Sequence, residues 1–150
     1  RTRSTRRVSY LLDVNVLLAL AWPNHVHHAA ARTWFASSHE AGWLTCGVTE
    51  SGFIRVSSNM RVTPDARTPA EAALLLHRMC SLGGHAFLTD AVSLADSHEL
   101  LGEVAHSSAQ VTDAHLSLLA RDSSATFVTF DRQAAQMAEK IGVPITLLHQ

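Results

Sequence analysis

Five short apolar runs separated by stretches of helical periodicity restrict the fold of this 150-residue chain more than any other feature. The runs are "VSYLL" (8–12), "GWLTC" (42–46), "HAFLT" (85–89), "ATFVTF" (125–130) and "VPITLL" (143–148). Short continuous runs of this kind suit strands that are covered on both faces. Between them the pattern predicts helices over 15–22, ended by Pro23, and over 25–38, 48–57 and 70–82, the last stopped by Gly83-Gly84. Further helices are expected over 93–101, 112–121 and 133–140, and "NMRVTPDARTP" (59–69) reads as a loop ending in a proline at a first helical turn. Strand–helix alternation implies crossover connections, hence a mainly parallel sheet with helices on both sides: an α/β fold.

The totals agree with one such domain over 8–150, preceded by a basic arm over 1–7. Hydrophobic residues make up 47% and charged residues 17%, enough apolar surface for a core without staples. No stretch reaches the ~18 apolar residues of a membrane span, and the N-terminus carries no apolar signal core. Cys46 and Cys80 fit no CxxC spacing and read as buried, reduced thiols, pointing to the cytoplasm. The net charge of −1 hides an asymmetry, because the arm "RTRSTRR" holds four arginines and no acid. Such an arm suits a polyanion or is a solvated tail; the absence of a wider basic stripe argues against binding nucleic acid by charge alone.

Chemistry concentrates in four acids. Asp13 and Asp131 each follow a strand and precede a helix, and Asp113 opens the helix "TDAHLSLLA". Each is explicable alone as a cap or first-turn acid that satisfies free N–H groups and the helix dipole. Glu50 is harder to explain so, since its helical neighbours Phe53 and Ile54 put it on an apolar face, where a carboxylate needs a partner. In an open parallel sheet, strand C-termini and the helices after them share one edge, where ligands bind. Two carboxylates ~4 Å apart repel by about 4 kcal/mol at an effective dielectric near 20. Several gathered there stay ionised only around a cation, and an all-oxygen set suits Mg²⁺ or Mn²⁺ rather than zinc. Asn15 adds a neutral amide that can orient a water or a carboxylate.

Competing signals are weaker. "HVHH" (25–28) has no nearby Cys or acid at zinc spacing and reads as a helix-start group. His115 points away from Asp113 on a helix, Ser117 lacks a nucleophile turn, and no GxGxxG follows the first strand. Arg55 and Arg132 are candidates for phosphate contact, or simply solvated helix residues.

"LLDVNVLLAL", "TESGFIRV", "TDAHLSLLA" and "VTFDR", in this order, resemble the PIN-domain ribonucleases, and within them the VapC toxins of bacterial toxin–antitoxin pairs. The resemblance runs from about Tyr10 to Leu148. It implies a three-layer α/β/α sandwich and an acidic set falling on Asp13, Glu50, Asp113 and Asp131, with Asn15 and Thr112 beside it. Asp90, after "AFLT", is a rival fourth acid whose simpler role is a turn or helix cap. The resemblance also implies Mg²⁺- or Mn²⁺-dependent RNA cleavage, a homodimer, and a VapB-like antitoxin laid over the acids. Two alternatives stand beside it: a PIN-like module that binds RNA or protein without cutting, and a phosphatase of the haloacid dehalogenase type. The latter is disfavoured by Asn15 at its second acidic position and by Lys140, late in a helix, as the one lysine.

Overall fold

The computed structural model describes residues 8–149; the basic arm lies outside them. Strands β1 (Tyr10–Leu12), β2 (Trp43–Cys46), β3 (His85–Leu88), β4 (Thr126–Thr129) and β5 (Ile145–Leu147) form one sheet in the order β3-β2-β1-β4-β5. Every pairing is parallel. Chain order therefore runs outward in one direction from β1 through β2 to β3, and in the other from β4 to β5. The switch between the two halves falls at the β1–β4 pair.

Among the described residues seven helices cover the faces: α1 (Val14–Ala21), α2 (His28–Ser38), α3 (Gly47–Ser57), α4 (Pro69–Cys80), α5 (His98–Val104), α6 (Val111–Asp122) and α7 (Arg132–Ile141). The period-2 alternation of the strands sorts the core. Leu12, Trp43 and Val128 face one layer and pack against Val16 and Leu17 of α1, Phe35 of α2, Phe53 of α3 and Leu76 of α4. Their neighbours Leu11, Cys46 and Phe127 face the other, against Val104 of α5, Leu116 and Leu119 of α6, and Met137 and Ile141 of α7. Trp43, Phe53 and Phe127 are fully buried, each side chain contributing about 1.5–3 kcal/mol of apolar transfer. This is the three-layer α/β sandwich expected from the alternation.

Local chemistry explains most boundaries. At α4, Thr68 Oγ1 accepts from Glu71 N–H (3.1 Å) and Glu71 Oε1 accepts from Thr68 N–H (2.9 Å), a reciprocal cap just before Pro69. Gly142 ends α7 in the left-handed region (φ 94°), and its N–H reaches back to Ala138 and Glu139. Two expectations shift. The helix expected from His25 begins at His28, because His25 Nδ1 accepts from His27 N–H (3.0 Å) and holds a turn there. The helix expected over 93–101 splits into a 3-10 turn at Ala95–Ser97 and α5, with Ser93 Oγ accepting from Asp96 N–H (3.2 Å). Cys46 is buried as expected, whereas Cys80 is half-buried; both are free thiols. Among the described residues no helix is long and apolar enough to cross a membrane.

Candidate active site

The register Leu12↔Val128 sets the ends of β1 and β4 side by side, so the residues just beyond them, Asp13 and Thr129 through Asp131, meet at the switch point. Asp13 is the N-cap of α1. Its Oδ1 accepts from Val14 N–H (2.8 Å), and its Oδ2 accepts from the buried Thr129 hydroxyl (2.7 Å). Thr129 Oγ1 in turn accepts from Asp131 N–H (3.0 Å). A continuous chain from the Asp131 backbone through Thr129 to the Asp13 carboxylate thus ties the two strand ends together. Asp131 is the N-cap of α7, its Oδ1 accepting from Gln133 N–H (2.8 Å) and Ala134 N–H (3.3 Å). Its Oδ2 has no hydrogen-bond partner among the described residues.

Asp113 stands in the first turn of α6, half-buried. No hydrogen bond or ion pair engages its carboxyl among the described residues. Burial, then the charges of Asp13 and Asp131, push that carboxyl up to about 6 from a usual 3.8. The carboxyl of Asp13 is also raised, by burial first; the bonds from Thr129 and Val14 oppose the shift and the Asp131 charge adds to it. Three aspartates therefore sit in one another's fields, with two helix N-termini directed at the same place. Asp13 and Asp131 each cap a helix and face the other acids at once. The three aspartates do not bring one oxygen each within 4.8 Å of one another; among the described residues a different trio does so. An all-oxygen donor set of this kind suits a hard divalent cation that keeps several of its waters.

Glu50 keeps other company. In the first turn of α3, its Oε2 accepts from Thr45 Oγ1 on β2 (2.7 Å), and the same hydroxyl lies 2.8 Å from His85 Nε2 on β3. The partner foreseen for a carboxylate on an apolar face is therefore a buried threonine hydroxyl. Glu50 is absent from the charges that raise Asp13 and Asp113. Asn15 is exposed and lines a groove of ≈ 1190 Å³ with Trp22, Asp65, Arg67 and Glu71. Thr112, Arg55 and Arg132 are exposed, and none makes a side-chain hydrogen bond or ion pair among the described residues. Asp90, the rival acid, is a turn cap. Its Oδ1 accepts from Val92 N–H (2.9 Å), and its Oδ2 pairs with His115 Nε2 at 2.6 Å. That pair also accounts for His115, which takes no part in the aspartate cluster.

Sequence reasoning missed Thr129 and Thr45. Thr129 was legible as a hydroxyl two residues before Asp131, the spacing at which a side chain takes a backbone N–H in a turn. Thr45 carried no such signal, because its partners come from other elements.

A parallel sheet with carboxylates gathered where its strand order reverses defines a class: an α/β protein with an acidic site at its strand ends. More particularly, the chain belongs to the PIN-domain family, whose pattern matches residues 10–140. It is 47% identical over 139 residues to "Ribonuclease VapC38" of Mycobacterium tuberculosis, covering 92% of this chain and 96% of that protein. "Ribonuclease VapC39" and "Ribonuclease VapC44" of the same organism are 46% and 44% identical over 128 residues, which is 85% of this chain and 92% and 89% of theirs. The phosphatase alternative gives way to this family membership, and Lys140 lies exposed in the last turn of α7, a poor place for a phosphate-binding lysine.

Proposed function

We propose that this chain is a VapC-type toxin: an endoribonuclease that uses Mg²⁺ or Mn²⁺ bound by Asp13, Asp113, Asp131 and Glu50. The observation that carries the reading is the unpaired, half-buried Asp113 beside Asp13 and Asp131, an uncompensated charge that a divalent cation neutralises. Its resemblance to proteins named as ribonucleases over nearly the whole chain favours cutting over a non-catalytic module.

The cation, when bound, lowers the pKa of a water and neutralises charge developing on a phosphodiester. The chain's own residues do the rest. Thr129 and Val14 N–H fix the Asp13 carboxylate, which would help hold the ion. Asp131 shares its carboxylate between the cap of α7 and the cluster. Asp113 would supply the unpaired negative charge, its carboxyl pushed up to about 6 by burial and the neighbouring aspartates in the metal-free protein. Glu50, bonded to Thr45 in this structure, would complete the set. Asn15 and Thr112 border the acids, and Arg55, Arg132 and the arm over 1–7 meet RNA phosphates.

The protein works in the cytoplasm as a homodimer, and a VapB-like antitoxin silences it by placing a guanidinium among the acids in place of the metal charge. Asp13→Asn tests the nuclease reading. Divalent-dependent RNA degradation is lost while circular dichroism stays native; full activity in that variant refutes the assignment.

A further inference from the structure

Glu50, Cys80 and His85 each offer a ligand atom within 4.8 Å of the other two. Among the described residues it is the one group of three His, Cys, Asp or Glu donors drawn so close. We propose that these three residues form a second metal site, for Zn²⁺ or a similar borderline transition ion, chemically distinct from the all-oxygen aspartate edge.

The donor set decides the ion. A thiolate, an imidazole and a carboxylate suit zinc, whereas Mg²⁺ takes neither sulfur nor, ordinarily, nitrogen. Zinc bonds of about 2.3 Å to sulfur and 2.0–2.2 Å to nitrogen or oxygen put tetrahedral ligand atoms roughly 3.3–3.7 Å apart, so an ångström of side-chain rotation closes the set. Three protein ligands leave a fourth position for water.

Three elements hold the donors in place. Cys80 is the last residue of α4, and His85 is the first of β3. The turn between them is pinned by the His39 ring, whose Nδ1 meets Gly83 O at 2.8 Å. It is pinned again at Gly84 (φ +90°), where a Cβ would lie 2.0 Å from His39 O. The His85 ring packs on Trp43 (centroids 4.6 Å apart), and the Thr45 hydroxyl bonds Glu50, His85 and Cys80 alike, so a cation that takes all three donors displaces that hydroxyl. Supports of this kind orient metal ligands. The site shares the Glu50 carboxylate with the Mg²⁺ or Mn²⁺ set proposed above, and a cation held by Cys80 and His85 competes for it.

The test is titration of the chelator-treated full chain with Co²⁺, followed by absorption spectroscopy. One equivalent should produce a sulfur-to-cobalt charge-transfer band in the near ultraviolet and strong four-coordinate bands in the visible. Cys80→Ser should abolish the charge-transfer band, and His85→Gln should weaken uptake by roughly tenfold or more. Asp113→Asn should leave the spectrum unchanged, which separates this site from the aspartate edge. Absence of the charge-transfer band overturns the proposal, as does a band that survives Cys80→Ser, or visible bands that depend on His25, His27 and His28 instead. If Cys80→Ser fails to fold, alkylation of the unaltered protein decides. Zn²⁺ should slow iodoacetamide labelling of Cys80, the less buried of the two thiols, and an unchanged rate refutes the site.

Discussion

Asp113→Asn should make the protein more stable while removing its activity. In the folded chain the Asp113 carboxyl titrates at about 6 against 3.8 in the unfolded state, so above pH 6 its charge opposes folding. A tenfold change in proton affinity is worth about 1.4 kcal/mol, giving an upper value of about 3 kcal/mol at neutral pH. Asp113 is only half-buried, and solvent screening reduces that to roughly 1–2 kcal/mol. The sign follows from proton binding. Between about pH 4 and 6 the folded state holds a proton on Asp113 that the unfolded state has lost, so this group's destabilisation disappears as pH falls through that window. Asparagine cannot ionise and is free of the penalty. Thermal unfolding of both proteins at pH 7.5 without divalent ions should therefore give a Tm higher by roughly 2–6 °C in the variant. The difference should shrink toward zero by about pH 4. A variant less stable than the parent, or a gain that does not depend on pH, would refute the claim that Asp113 stands unpaired among like charges.

Millimolar Mg²⁺ or Mn²⁺ should raise the Tm of the parent at pH 7.5 and leave Asp113→Asn nearly unmoved, as a ligand that binds only the folded state requires; equal shifts in both would place the ion elsewhere. Thr129→Val should lower RNA cleavage roughly 10- to 100-fold by freeing Asp13 Oδ2 and Asp131 N–H, with Thr129→Ser restoring most of it in the same assay. Thr68→Ala should cost about 1 kcal/mol in urea unfolding through loss of the α4 cap and leave cleavage unchanged. Gly84→Ala should cost more than that, since the added Cβ strikes the His39 carbonyl at a positive φ, and soluble yield and Tm report it.

The fold was legible because its signals are local. Apolar runs, Pro69 at a helix start and Gly142 at a helix end each act within a few residues. Strand order is not local: "VSYLL" carries nothing that says its neighbours are "GWLTC" and "ATFVTF", and the switch point emerges only from the pairing. The site divides the same way. Asp13 and Asp131 were readable as strand-end acids, and the order reversal then made them neighbours. The environment of Glu50 was legible only in part. The apolar face of α3 implied a partner, but Thr45 lies on β2, His85 on β3 and Cys80 at the end of α4, and sequence spacing does not bring these together.

Topology also explains why the acids behave differently. A residue that follows a strand and opens a helix is already held by the cap, so Asp13 and Asp131 meet the cluster with backbone N–H groups offsetting their charge. Asp113 follows a 3-10 turn rather than a strand, and it is placed by Leu116 and Leu119 further along α6 being drawn into the core. Apolar burial carries its carboxyl to the edge without any donor to receive it, which is why the large upward shift falls there. Glu50 lies one strand farther from the switch point, where β2 and β3 offer it a hydroxyl and an imidazole. Of the four carboxylates it is the one whose charge is not felt by Asp13 or Asp113, so its contribution to holding Mg²⁺ should be the smallest and Asp113's the largest. Metal-dependent Tm shifts in Glu50→Gln and Asp113→Asn measure that order directly, and a larger loss in Glu50→Gln would reverse it.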